Sequence, residues 1–340
     1  MLSSHSPGVK LAHAKSSDDV TRRFARVAIV GTGFVGSTAA YALLLSGIAA
    51  EIILVDKDQK HLEGHLHDLR DTALFSHTTR VVAGSFSDCC DADVVIITAG
   101  VSQAATMRSR LENLAEGTSI LRTIVLEIAC HNPHGVLLLA SNPVDVLTYA
   151  AWKWSGLPAG RVIGSGTLLD TSRFRRRVAE RFGVAPENVD AYIIGEHGDS
   201  QVPVLSSARI AGIPLDDFCR QLGLPRQENA LKDIAEETRK AGLEIIRAKG
   251  ATYYGIAAAL VRIVAAILRD EHAVLTVSSP APPLMGFGEV CLSLPAVINR
   301  GGVSRVLSIP LDQQEQAALR ASADVLKRHI AMVENSKQTV

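Results

Sequence analysis

The stretch Ala191-Tyr-Ile-Ile-Gly-Glu-His-Gly-Asp-Ser200 puts His197 in a short polar turn, directly behind an apolar run that reads as a buried strand. A histidine at the mouth of a strand titrates near neutral pH and can exchange a proton with a substrate. Upstream, Gly166-Thr-Leu-Leu-Asp-Thr-Ser-Arg173 reads as the start of a helix, with Asp170 and Arg173 three residues apart and so on one face. A carboxylate to orient a histidine, beside a guanidinium to grip a carboxylate substrate, makes a two-part acid–base site. A Gly-Glu-His-Gly turn can equally be only a turn. What tips the reading toward chemistry is a second signature near the N-terminus.

That signature is Gly31-Thr32-Gly33-Phe34-Val35-Gly36, which follows an apolar strand and opens a helix. Gly31 permits the tight turn, Gly33 lets the backbone approach a pyrophosphate, and Gly36 allows close helix–strand packing. Phe34 and Val35 then start a helix whose free amides face an anion. Asp56 ends the next apolar strand, twenty residues after Gly36. An acid there hydrogen-bonds the adenosine ribose hydroxyls and repels a 2′-phosphate, so NAD is expected in preference to NADP. Thr98-Ala99-Gly100 at the end of the fourth strand gives a further small-residue approach to the cofactor. Asn142, in Ser141-Asn-Pro143 at the end of the fifth, is placed to meet the nicotinamide ribose or the substrate.

These residues need a sheet to hold them. Arg26–Val30, Glu51–Val55, Arg80–Ala83, Asp93–Thr98 and Val136–Ala140 read as strands, most of them continuous apolar runs. Phe34–Ser46, His61–Asp71 and Leu111–Cys130 read as helices between them. Such alternation predicts a parallel sheet covered on both faces, a Rossmann-type doubly wound α/β fold. The second half is less regular and reads as an α+β substrate domain. It has helices near Arg173–Arg181, Gln227–Lys249 and Tyr253–Leu268, a β-rich portion from Ala273 to Leu307 and a last helix from about Asp312 to Met332. The expected organisation is a tail or arm over 1–24, a dinucleotide-binding domain over 25–150 and a substrate domain over 151–335, divided near Val144–Trp154.

The 340 residues are 47% hydrophobic, enough for a sizeable core, and 35 basic residues balance 35 acidic ones. A neutral chain gives no sign of a nucleic-acid or anionic-membrane partner. Residues 1–24 lack an apolar secretory core, and the apolar runs are too short to span a bilayer. The five cysteines contain no Cys-x-x-Cys, so buried thiols in a cytoplasmic protein are the plain reading. His61, His65 and Asp68 lie at helical spacing, but no closed ligand set completes a metal site.

Taken together, these segments resemble the L-lactate dehydrogenase family, within the lactate/malate dehydrogenase superfamily. The resemblance runs from about Arg26 to Ile330. It is carried by the glycine loop, Ser141-Asn-Pro-Val-Asp-Val-Leu-Thr-Tyr149, Arg161–Phe174, Gly195-Glu-His-Gly-Asp199 and Lys249-Gly-Ala-Thr-Tyr-Tyr-Gly255. It implies that His197 is the proton donor in pyruvate reduction and the acceptor in lactate oxidation, with Asp170 holding its ring. It implies that Arg173 binds the substrate carboxylate as a fork, and that Arg110 sits on a closing loop and polarises the carbonyl. It also implies L-stereochemistry and a homotetramer built from dimers.

The related malate dehydrogenases carry an arginine near the start of that loop. Here Gln103 stands there, neutral and suited to a methyl-bearing substrate, and the resemblance makes Thr252 a lactate-type residue too. The loop Ala104-Ala-Thr-Met-Arg-Ser-Arg110 departs from the family pattern: it is one residue longer and lacks Pro and Gly. Counting back from Arg110 would put Ala104 at the selecting position and could bring Arg108 inward, so a malate or broader 2-oxo acid dehydrogenase is the alternative. Many bacterial relatives bind fructose 1,6-bisphosphate through an arginine matching Arg175 and a histidine, but the histidine's place is Asp190 here. An acid facing a bisphosphate repels it, so weak or absent activation is expected.

Overall fold

The computed structural model describes residues 24–100, 110–225 and 227–335. Residues 1–23 of the predicted tail, together with Gln103, Ala104 and Arg108, lie outside them, as does the side chain of Arg110.

The first half alternates strand and helix: β1 (Arg26–Val30), α1 (Phe34–Ser46), β2 (Glu51–Val55), α2 (Gln59–Asp71), β3 (Arg80–Ala83), β4 (Val94–Ile97), α3 (Arg110–His131), β5 (Val136–Leu139), α4 (Val144–Ser155) and β6 (Val162–Gly164). The six strands pair in parallel in the order β3-β2-β1-β4-β5-β6. Period-two alternation decides which face each side chain serves. Val27 and Ile29 of β1 pack with Leu43 of α1 and Leu62 of α2, while Ala28 and Val30 pack with Val125 of α3 and Leu147 of α4. Burial on both faces is why these strands read as unbroken apolar runs. Each large aliphatic side chain taken fully from water contributes roughly 1.5–3 kcal/mol.

The second half comprises α5 (Leu168–Phe182), β7 (Val189–Ile194), β8 (Val202–Ile210), β9 (Ile213–Pro214), α6 (Leu215–Gln221), α7 (Glu228–Lys249), α8 (Tyr254–Leu268), β10 (Ala273–Pro280), β11 (Cys291–Asn299), β12 (Gly302–Val306) and α9 (Gln313–Asn335). The region expected to be β-rich is β10 to β12. These strands are antiparallel and extend the first sheet through a Ser278–Gly164 pairing, giving nine strands among the described residues. Strands β7, β8 and β9 form a separate antiparallel sheet, tied to the first by a bridge between Gly195 and Ser293.

Residues Val144–Ser155, where the sequence suggests a domain division, form helix α4. Val144 through Ala151 are all buried, because this helix packs between the sheet and α3 on one side and β10, β11 and α9 on the other. Cys89, Cys219 and Cys291 are buried free thiols, whereas Cys90 and Cys130 are exposed. No helix among the described residues is long and apolar enough to cross a membrane.

Candidate functional site

The glycine loop, Asp56, Thr98–Gly100 and Asn142 lie at the carboxyl ends of parallel strands, where ligands bind in open α/β sheets, while His197 follows β7 of the second sheet. The glycine loop follows β1. Gly31 sits at φ +99°, and its amide donates to the Val55 carbonyl at 2.8 Å. A Cβ at Gly36 would overlap the Gly31 carbonyl oxygen, so only glycine lets α1 enter this closely. Gly33 caps α1 with no side chain covering the helix end, and a Cβ there would meet no protein atom within 4 Å. The first-turn amides of Phe34, Val35 and Gly36 lack intrahelical acceptors and carry the positive end of the helix dipole. Thr98 braces the loop by donating its hydroxyl to the Gly31 carbonyl at 2.7 Å, and Ser141 donates to the Ala99 carbonyl at 2.6 Å.

Asp56 stands at the end of β2. One carboxylate oxygen accepts from the Thr32 amide at 2.6 Å and the Thr32 hydroxyl at 2.9 Å, and the other from the Asp58 amide at 3.0 Å. Burial opposes its charge, but these hydrogen bonds and the neighbouring His61 outweigh it and hold the carboxyl below the usual range. The cap of α2 is Asp58, which accepts from the His61 amide. Asp56 therefore does not serve merely as the helix cap. Thr32, fully buried, is the partner that sequence reasoning did not single out; its place between two glycines of the loop was the available signal.

The loop combines an open approach at Gly33, uncapped amides behind it and an ionised acid one strand away. All suit a pyrophosphate and an adenosine ribose.

The acid–base group is compact. His197 donates from Nδ1 to Asp170 Oδ2 at 2.6 Å, and Arg173 Nη1 donates to Asp170 Oδ1 at 3.2 Å. Asp170 lies in the first turn of α5, with its side chain 4% exposed; His197 keeps 29% and Arg173 15%. Burial favours the neutral form of each partner, yet their mutual attraction wins. Asp170 is held below the usual carboxylate range, helped by Arg173, and the imidazole of His197 is raised above its ordinary value by Asp170 and Asp145. Nε2 makes no hydrogen bond to the described residues and is left to face a ligand.

A layer of buried hydroxyls fixes this arrangement from below. Thr167 and Thr171 both donate to the Ile193 carbonyl at the end of β7, at 2.5 and 3.2 Å. Thr276 of β10 donates to Thr171 at 3.0 Å. The turn carrying His197 is held separately: the Glu196 amide donates to Ser322 of α9 at 2.8 Å, and the His197 amide to Asp145 Oδ2 at 2.7 Å. The apolar surroundings of these hydroxyls hid their role in the sequence.

Asn142 is exposed in the turn after β5, and Thr252 is half-buried between α7 and α8. Tyr253, beside Thr252, stacks on Phe34 with ring centroids 5.4 Å apart, which brings the Thr252 segment to the glycine loop. Arg175 lies on α5 but is engaged by Asp190 and the Ala191 carbonyl. His61 and His65 approach Nε2 to Nε2 at 3.0 Å; among the described residues no cluster of three or more candidate metal ligands forms.

Residues 25–164 match the family model described as lactate/malate dehydrogenase, NAD binding domain. Residues 167–337 match that described as lactate/malate dehydrogenase, alpha/beta C-terminal domain. A probable L-lactate dehydrogenase of Schizosaccharomyces pombe is 46% identical over 308 residues, 91% of this chain and 93% of that protein. The L-lactate dehydrogenase of Moorella thermoacetica is 46% identical over 310 residues, covering 91% and 98%. That of Geobacillus thermodenitrificans is 47% identical over 307 residues, covering 90% and 96%. Among solved structures, a lactate dehydrogenase from a deep-sea metagenome library superposes with a TM-score of 0.86 at 40% identity, covering 92% of this chain and 99% of that one. A minor L-lactate dehydrogenase of Enterococcus mundtii in ligands-bound form gives 0.86 and 40%, covering 91% and 98%.

Proposed function

The chain belongs to the lactate/malate dehydrogenase family, and on that premise we propose that it is an NAD-dependent L-lactate dehydrogenase, reversibly converting pyruvate to L-lactate at the close of fermentative glycolysis. The observation that carries the reading is the Arg173–Asp170–His197 group, with Nε2 of the imidazole left free.

When bound, NADH supplies the hydride to the substrate carbonyl carbon. Gly31, Gly33, the first-turn amides of α1 and Asp56 would hold it, with Thr98, Ala99, Gly100 and Asn142 along the inner edge. His197 Nε2 gives its proton to the carbonyl oxygen as the hydride arrives, so no alkoxide has to persist. Asp170 keeps the proton on Nδ1, which fixes the ring orientation and stabilises the imidazolium. Arg173 receives the substrate carboxylate as a planar fork, turning the carbonyl toward His197. Arg110, at the start of α3, is assigned to the carbonyl, and Thr252 and Gln103 to the methyl end.

The test is NADH oxidation by the purified protein with pyruvate and with oxaloacetate. A strong pyruvate preference in kcat/KM supports the lactate reading. A preference for oxaloacetate makes the protein a malate dehydrogenase, with Arg108 as the selecting residue. Gln103→Arg should raise oxaloacetate turnover relative to pyruvate, and an unchanged ratio removes Gln103 from the selecting role. A homotetramer in the cytoplasm completes the proposal. Phe34, Tyr41 and Leu45, exposed along one face of α1, give an apolar stripe suited to a second subunit.

A further inference from the structure

The turn that carries His197 is anchored by a carboxylate that the reading above does not use. Asp145 sits in the first turn of α4, in the otherwise apolar run Val144-Asp-Val-Leu-Thr-Tyr149, and is 2% exposed. Its Oδ2 accepts the backbone amide of His197 at 2.7 Å. Its Oδ1 is buried, and the Ser278 hydroxyl on β10 and the His197 amide are what favour its charge against burial. A carboxylate held in an apolar interior by so few donors is costly. A helix needing only an acid near its N-terminus would place it in water at no such cost.

We propose that Asp145 is a positioning residue for His197, fixing the catalytic turn through the His197 amide and serving as a second buried anion behind the imidazolium. The proposal rests on the lactate dehydrogenase reading. Asp170 and Asp145 then flank the histidine from two helices, α5 and α4. Among the described residues, Arg173 on α5 also acts on His197, and Glu196 in the same turn and Cys291 of β11 act on Asp145. Glu196 is engaged by the amide and hydroxyl of Ser200. Arg173 opposes the imidazolium, and the two aspartates outweigh it. Burial pushes the Asp145 carboxyl up to about 6, so near neutral pH it is charged and in acid it is not.

That gives a signature a purely structural acid lacks. Asp145→Asn keeps an acceptor for the His197 amide but removes the charge. Pyruvate reduction needs protonated His197, so kcat/KM falls as pH rises through the imidazole pKa, and in the variant that fall moves to lower pH. The variant-to-parent ratio is expected to approach one at about pH 5.5, where the parent carboxyl is itself mostly protonated, and to be several-fold lower at about pH 8. NADH affinity should stay within about twofold, since Asp145 is not assigned to the cofactor. The imidazole resonances of His197, followed by NMR without substrate, should titrate at lower pH in the variant.

A uniform loss of kcat/KM at all pH values, or an unmoved His197 titration, overturns the proposal. If Asp145→Asn does not fold, Asp145→Ser takes its place. If neither folds, the parent decides: the Asp145 carboxyl and His197 ring must titrate as a coupled pair, and independent titration overturns the idea. Failure of the parent to reduce pyruvate would instead refute the lactate dehydrogenase reading, while the resonance titration still judges Asp145.

Discussion

Arg175 is held by Asp190: its Nη2 lies 3.2 Å from the carboxylate, its Nε donates to the Ala191 carbonyl at 2.8 Å, and its guanidinium covers the Tyr192 ring at 4.8 Å. An exposed pair of this kind is worth only about 1 kcal/mol or less. The stronger effect is repulsion, because an anion approaching Arg175 also meets Asp190. Fructose 1,6-bisphosphate is therefore expected to leave the pyruvate half-saturation constant unchanged within about twofold. A large fall on adding the bisphosphate would refute this. Asp190→His should make the constant responsive.

Removing the charge from Asp170 should move the pH dependence in a fixed direction. The folded-state pKa of His197 is raised, chiefly by Asp170 against the effect of burial. In the role proposed for His197, pyruvate reduction needs the protonated ring, so it is full below that pKa and lost as pH rises through it; lactate oxidation runs oppositely. Asp170→Asn should cut kcat by roughly 10²-fold or more. It should also shift the fall in pyruvate kcat/KM to lower pH. Rate profiles in both directions check this, and a loss with no shift would leave Asp170 a purely steric role.

Arg173→Lys tests the fork. A lysine can keep the charge near Asp170, but it cannot pair with Asp170 and with both oxygens of a substrate carboxylate. The loss of a charge-assisted hydrogen bond costs about 1.5–3 kcal/mol, or roughly ten- to 150-fold in kcat/KM. The loss should appear largely in KM, with NADH affinity retained.

Two glycines of the cofactor loop should separate ligand binding from folding. At Gly33 a Cβ points into space free of protein, so Gly33→Ala should weaken NADH by tenfold or more, about 1.4 kcal/mol or above, with little change in Tm. At Gly36 a Cβ would overlap the Gly31 carbonyl and stand 2.7 Å from the Thr98 hydroxyl. Gly36→Ala should therefore lower stability by about 1–3 kcal/mol as well as affinity. NADH fluorescence titration and thermal denaturation, run on both variants, read the contrast.

Much of this architecture is legible in the chain because the central strands are buried on both faces. Arg26–Val30, Glu51–Val55 and Arg80–Ala83 appear with the bounds that their runs suggest, and so does helix Phe34–Ser46, framed by Gly33 and Gly47. Helix α4 was less visible, since an element covered on almost every side has no polar stripe to mark its period. The antiparallel pairing of β10 with β6 depends on a partner far away in sequence. At the site, the proximity of Asp170 and Arg173 follows from helical spacing, and the closeness of Asp170 to His197 was expected from the resemblance. The Asp145 contact joins residues 52 apart through tertiary packing, and only the fold reveals it.

The pairing of β6 with β10 has a consequence for how such proteins can be recombined. The parallel strands and the antiparallel extension share one continuous hydrogen-bonded layer, and Gly164 meets Ser278 so closely that a Cβ there would lie 2.9 Å from the Ser278 Cβ. An exchange of halves between two relatives would graft one protein's seam onto another's, glycine against serine, with the His197 turn hanging from the grafted side by Ser293. The unit of inheritance in this chain is thus the joint itself: a chimera stays active only if both sides of that seam descend from the same parent or have drifted to the same fit.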